Sequence, residues 1–251
     1  MSEALYTATS GAIAQQMRLE TLSNNLSNIN TVGFKGDRAS FRASYAQELK
    51  RDNTENASVS REVQMPSTSL PFGTYTDFSS GQVRQTGNNL DIALEGDGFF
   101  CVKTPNGIQY TRAGNFTINQ EQTLVTQQGF PVLGNGGIIK IDDNSIIVDG
   151  EGNIVMDGNQ VDTLKIVDFP RPYRLEKTGD TLFVPLAPGT KGNKPEGVKV
   201  QQGFVENSNV SAVSMMMEMI EALRGYESYQ KIIRSVDEIT SKAINEVGRV
   251  A

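Results

Sequence analysis

Apolar positions at the two ends of the chain recur with a helical period; those in the middle do not. Over residues 2–32, Leu5, Ala12, Leu19 and Leu26 are spaced by seven, and Ala8, Gln15, Leu22 and Ile29 form a second row of the same heptad. All of these but Gln15 are apolar, so the spacing predicts one amphipathic helix. Its stripe is lean, with alanine in the first half and Gly11 among Thr and Ser, and such a helix is marginal alone in water. Over residues 209–247 a longer stripe runs through Val213, Met216, Ile220, Leu223, Tyr226, Tyr229, Ile233, Val236, Ile239, Ala243 and Val247. Gaps of three and four predict a helix of about 50 Å or more. Ser208 or Asn209 is its expected N-cap, and Gly225 costs it about 1 kcal/mol against alanine.

Between residues 74 and 203 the helical period is absent. β-Branched runs alternate with Gly, Asn and Asp, which predicts short antiparallel strands. FFCVKTPNGIQYTR reads as a hairpin with a type I′ turn at Asn106-Gly107, and Asp149-Gly150 and Asp157-Gly158 mark two more turns. Residues 164–169 and 181–186 add strands. The polar stretch 37–70 reads as a linker that orders only against something else.

The expected fold class is therefore α+β. An antiparallel all-β central domain (74–203) is flanked by N- and C-terminal helices (1–36 and 204–251) that pair as a coiled-coil-like helical domain, and 37–73 is a linker or extended hairpin. Two helices make a thin core, so their surplus apolar surface points to other copies of the same chain.

Charge and composition narrow the function. A net charge of -6 argues against nucleic acid as a partner, because its phosphates would be repelled. No run of eighteen apolar residues is present, so no membrane-inserting helix is expected. The first basic residue is Arg18, with no apolar stretch of the secretory type before it. The absence of histidine removes the commonest general base and transition-metal ligand. Cys101 is the single cysteine and lies in the apolar run GFFCV, where a buried, unreactive thiol is expected.

Other candidate chemistry dissolves on inspection. The loop from Asp149 to Asn153 has Ile154 where a calcium loop needs glycine, so a turn is expected. Glu95 and Asp97 flank Gly96 and read as a turn, not a catalytic pair. Gly134 to Gly137 lack the Lys-Ser/Thr of a phosphate loop. Met215, Met216, Met217 and Met219 are too dense for a single seam and suit a compliant interface as well as core packing.

SNNLSNINTVGFKG, residues 23–36, closely resembles the N-terminal signature of the flagellar rod and hook family, which forms the axial shaft of the bacterial flagellum. Asn24, Asn25, Leu26, Asn28, Asn30, Thr31, Gly33, Phe34 and Lys35 match it. EGDGFFCV (95–102), YTRAGNF (110–116) and GFVENSNV (203–210) look like three further family segments, in order. Within the family, a length near 250 and the wording SSGQVRQTGNNLDIALEGDGFF favour a proximal-rod member, with a distal-rod or hook subunit as the alternative. Outside it, a secreted β-domain adhesin would call for clustered aromatics, which a chain with no Trp lacks.

The resemblance implies a structural subunit with no catalytic, cofactor-binding or metal residue. It implies terminal helices that pack with those of other copies and of neighbouring rod and hook-family subunits. It implies a basal-body rod spanning the periplasm, reached unfolded through the flagellar export apparatus without a cleaved signal peptide. The expected assembly interface comprises Leu5, Ala8, Ala12, Leu19, Leu22, Leu26 and Ile29, then Asn24, Asn25, Asn28, Gly33 and Phe34. Toward the C-terminus it comprises Asn207, Asn209, Val213, Met216, Ile220, Leu223, Tyr226, Ile233 and Val236. The asparagines are expected to serve left-handed or capping positions where the helix ends.

Overall fold

The computed structural model describes residues 2–41, 72–141, 146–179, 181–187, 189–190, 192–195 and 197–247. Most of the polar stretch read as a linker lies outside the described residues. Its two ends, Asp37–Phe41 and Phe72–Thr76, pair as a two-stranded sheet. The fold is α+β: helix α1 (Ser2–Ser27), antiparallel strands, then helix α2 (Ala212–Val247). The chain divides into two compact units. One holds residues 1–24, 37–75 and 213–251, the other residues 25–36 and 76–212.

In the first unit α1 and α2 run antiparallel. Gly11 faces the Tyr229 ring, Gln15 faces Gly225, and Arg18 lies 3.8 Å from Glu218 and 3.6 Å from Glu221. As one residue number rises the other falls. A Cβ on Gly11 would stand 2.5 Å from the Tyr229 ring, so the missing side chain admits the aromatic. Gly225, expected only to weaken its helix, lies against Gln15, whose side chain would be 3.2 Å from an added Cβ.

The pairing face therefore follows Gly11, Gln15 and Arg18 on α1, and Ala8 and Leu22, both buried, continue that row by helical spacing. On α2 it follows Glu218, Ala222, Gly225 and Tyr229, with Ala222 fully buried. Val213, Met216, Ile220 and Leu223, read from spacing as one stripe with Tyr226 and Tyr229, are exposed. Gaps of three or four do not average 3.6 over ten turns unless balanced, so a long row drifts around the helix.

The second unit is built on a five-stranded antiparallel sheet. Its order is Ile166–Val167, Phe99–Thr104, Gly107–Thr111, Leu182–Pro185 and Leu175–Lys177. Successive side chains of a strand point to opposite faces. Phe99 and Cys101 accordingly enter one apolar cluster with Phe169, Leu175 and Phe183, while Phe100 and Val102 enter a larger one with Ile92, Leu124 and Ile154. Burial on both faces is why GFFCV has no polar alternation. A three-stranded meander (Ile147–Val148, Asn153–Met156, Asn159–Thr163) and several strand pairs complete the unit.

The hairpins lie where the turn residues place them, with one change of type. Asp157 (φ 50°) and Gly158 (φ 79°) form the expected turn with two positive φ values. At Thr104–Gly107 the two loop residues are Pro105 and Asn106, and the proline ring fixes a negative φ, so type I′ is impossible there. The positive φ falls on Gly107 instead.

Candidate functional site

The carboxylates that could suggest chemistry are all in local use. Asp149 accepts from the backbone N–H of Glu151 and Asn153, both at 2.9 Å, and from Asn153 Nδ2 at 2.8 Å. The Asn153 side-chain bond comes first among the causes that hold its pKa below the ordinary range. Glu95 accepts from Gln201 Nε2 at 2.8 Å, and Asp97 pairs with Arg171, so they form no catalytic dyad. Gly134–Gly137 is a strand turn whose Gly136 N–H donates to Asp162. Among the described residues no group of three metal-ligating side chains is close enough to hold an ion.

The dense polar site of the molecule lies elsewhere, in the second unit. After Ser27 the helix unwinds into successive tight turns: Asn28 N–H donates to Asn25 O, Ile29 to Leu26 O, Thr31 to Asn28 O and Phe34 to Thr31 O. Each is an i→i−3 bond, the tightening by which a helix end satisfies its last carbonyls. Ile29 thus lies past the helix and outside its seam. The asparagines do not supply a left-handed residue; in this stretch only Gly33 does, at φ 69°. A Cβ on Gly33 would lie 2.2 Å from Ala113 N, so close backbone approach requires glycine as much as the dihedral does.

Beyond Gly33 the chain is zipped to the segment that precedes α2. Gly33 N–H donates to Glu206 O at 2.7 Å, and Asn209 N–H to Phe34 O at 3.4 Å. Asn209 Oδ1 accepts from Gly36 N–H at 2.8 Å, while Nδ2 donates to Asp77 O. Neither Ser208 nor Asn209 caps α2, which begins after Ser211. Asn207 bonds sideways to Arg84 Nε. Phe34 is buried in this unit with Lys177 Nζ 4.4 Å from its ring centroid, and Lys177 also donates to Lys35 O.

At the centre is a buried ionic cluster. Lys35 Nζ donates to Glu206 Oε1 at 2.6 Å and to Ser79 O at 2.8 Å. Gly81 N–H donates to the same Oε1. Arg112 Nε lies 3.1 Å from Glu206 Oε2, while its Nη1 and Nη2 donate to Gly98 O and Gly96 O. Lys35 and Glu206 are each 1% exposed and Arg112 4%. Desolvation is the main influence on Lys35 and moves its pKa down, against the pull of Glu206. Two cations share one carboxylate, and the backbone carbonyls supply the remaining acceptors.

Spacing alone did not single out Lys35, Arg112 or Glu206. Their signal is a charged residue inside an otherwise apolar or small motif: GFK, TRAG and FVEN. A lone charge in such a setting is rarely buried unless paired.

Comparison with known proteins agrees in all three regions. A family model described as "Flagella basal body rod protein" matches residues 5–35. "Flagellar hook protein FlgE/F/G D1 domain" matches residues 93–166, and "Flagellar basal body rod FlgEFG protein C-terminal" matches residues 201–246. The chain is 36% identical over 268 residues to the flagellar basal-body rod protein FlgG of Bacillus subtilis, covering 98% of this chain and 99% of that one. It is 32% identical over 256 residues to the basal-body rod protein FlgF of Caulobacter vibrioides, with all of both chains covered.

Proposed function

The chain belongs to the flagellar basal-body rod family, and on that premise we propose that it is a proximal-rod subunit that joins the axial shaft through the outward faces of α1 and α2. As a family member it is a structural subunit of the flagellar basal body and not an enzyme. The proximal position and the helix faces are the proposal. The end-to-end match to a FlgF relative, with 256 aligned positions covering all of both chains, supports the position.

One observation carries the helix faces. Val213, Met216, Met217, Ile220 and Leu223 fall within about 120° of one another at about 100° per residue. That arc lies opposite Glu218, Ala222, Gly225 and Tyr229, which face α1. Val213 is 65% exposed and Met217 67%. Further along the same arc come Arg224, Glu227, Lys231, Arg234 and Glu238, all exposed. On this arc the apolar residues are therefore confined to the first three turns, as suits a bounded contact, while the exposed Ile232, Ile239 and Ile244 further along lie on other sides of the helix. On α1, Tyr6, Ile13 and Met17 are likewise exposed on the side away from α2. Of the residues expected to form the assembly interface, Val213, Met216, Ile220 and Leu223 fit this role best. Ala8, Ala12, Leu22, Asn25, Gly33 and Phe34 are buried within their own chain.

A place further out in the rod or in the hook is the second reading. It draws on the 36% identity to the FlgG protein and on the hook protein named in the central family model. Electron microscopy of basal bodies from a strain lacking the gene tests both. Rods truncated close to the inner ring, restored by the wild-type chain, are expected. Complete rods that stop at the hook would move the subunit outward. Intact flagella in a strain without a substituting paralogue would overturn the assignment.

A further inference from the structure

We propose that the Lys35–Glu206–Arg112 cluster is a latch that opens as one unit, freeing residues 31–36 and 204–209 together while the five-stranded sheet of the second unit stays folded. The two segments hold each other and are the points from which the chain leaves this unit toward α1 and toward α2. Their mutual bonds are polar: Gly33 to Glu206, Phe34 to Asn209, Gly36 to Asn209 and Lys35 to Glu206. Neither Phe34 nor Val205, the buried apolar residues of the two segments, belongs to either large apolar cluster. The strand Phe204–Glu206 pairs with Val83–Gln85 in a two-stranded sheet, and Val83–Gln85 is exposed along its whole length.

Segments held by few apolar contacts and many backbone bonds open at lower free energy than core strands. One carboxylate is held by three sequence-distant segments through Lys35, Gly81 N–H and Arg112, so its release removes the ionic tie of residues 204–209 to 31–36 and to the rest of the unit in one step. The latch also starts near electrostatic imbalance, with two buried cations to one anion. Such a device lets both helix roots leave the β unit without unfolding it.

Hydrogen exchange of the full chain, read peptide by peptide, tests this. In the wild type, amides of 32–36 and 205–209 are expected to share one opening rate, faster than that of strand Phe99–Thr104. Glu206→Gln leaves two buried cations uncompensated and should speed exchange in both segments by one common factor on the order of a hundredfold, with Phe99–Thr104 still the slower. Lys35→Met with Glu206→Gln returns the buried charge to its wild-type sum and should recover most of that protection. Three results would overturn the latch: equal wild-type rates in the segments and in Phe99–Thr104, a Glu206→Gln effect confined to one segment or absent, or a double variant as fast as the single one.

Discussion

Lys35 and Glu206, separated by 171 positions in the chain, meet at 2.6 Å with both side chains out of water. Such a pair gains little over apolar packing when intact, yet losing one partner leaves a bare charge in a low-dielectric site. Its effect is to make the N-terminal turn conditional on the segment that introduces α2.

That condition sets where the chain can be cut. A boundary at residue 203, drawn from composition, would remove the strand Phe204–Glu206 and the carboxylate that Lys35 and Arg112 share. A chain ending at residue 211 should keep a folded β unit. One ending at residue 203 should be less stable by about 3–5 kcal/mol, as expected for a broken buried pair. Urea unfolding followed by tyrosine fluorescence compares the two.

Gly33→Ala should destabilise the second unit by about 3 kcal/mol or more, from a left-handed dihedral combined with overpacking. The new methyl would meet the backbone of Arg112 and Ala113, which cannot turn aside as a side chain would. A loss in urea midpoint below a third of that would show that the turn adapts.

Gly11→Ala should disturb the pairing of α1 with α2, because the Tyr229 ring must shift. Tyr229→Ala opens the space, so the two changes together should cost less than their sum by about 1 kcal/mol or more. Thermal loss of the helical dichroism signal in the four members of that cycle measures the coupling.

Ile220→Asp and Leu22→Asp should separate assembly from stability. Ile220 is 53% exposed, so the aspartate should change isolated-chain stability by less than about 0.5 kcal/mol while blocking incorporation into the rod. Leu22 is buried, and aspartate there should unfold the helix pair itself. Motility and basal-body microscopy of complemented strains, beside dichroism of the purified chains, check both.

Burial raises the Cys101 thiol pKa from 9.0 to about 11. The folded protein keeps this proton while the unfolded chain loses it. The stabilisation is therefore fully present below pH 9 and is lost as pH rises through 11, to a limit of about 3 kcal/mol. The stability difference between wild type and Cys101→Ala should be constant up to about pH 8.5 and shrink by pH 10.5. Folded protein at pH 8 should react with thiol reagents far more slowly than in urea.

Much of the architecture was legible in local pattern. Helical period at the ends and turn residues in the middle placed both helices and the hairpins, because periodicity and turn chemistry act over a few residues. Asp157-Gly158 needed nothing beyond its own two dihedrals. The hairpin at Thr104–Gly107 was also legible, although its turn type is set by Pro105 at a loop position. The four motifs that carried the resemblance were legible as words; their meeting was not. Lys35, Gly96 and Gly98, Arg112 and Glu206 come from four separate stretches and form one cluster.

Element type, the α+β order of the chain and its family all follow from the residues alone, since each rests on short-range pattern or on recognisable motifs. Which residues of α2 face α1 depends on packing, because a row with gaps of three and four drifts and the partner helix selects the side. Packing also sets the role of the asparagine-rich turn. Asn25, Gly33 and Asn209 look alike as polar or flexible residues in sequence. Their work depends on which backbone groups the fold brings within hydrogen-bond reach, and that is a property of contacts between distant segments, which no local pattern encodes.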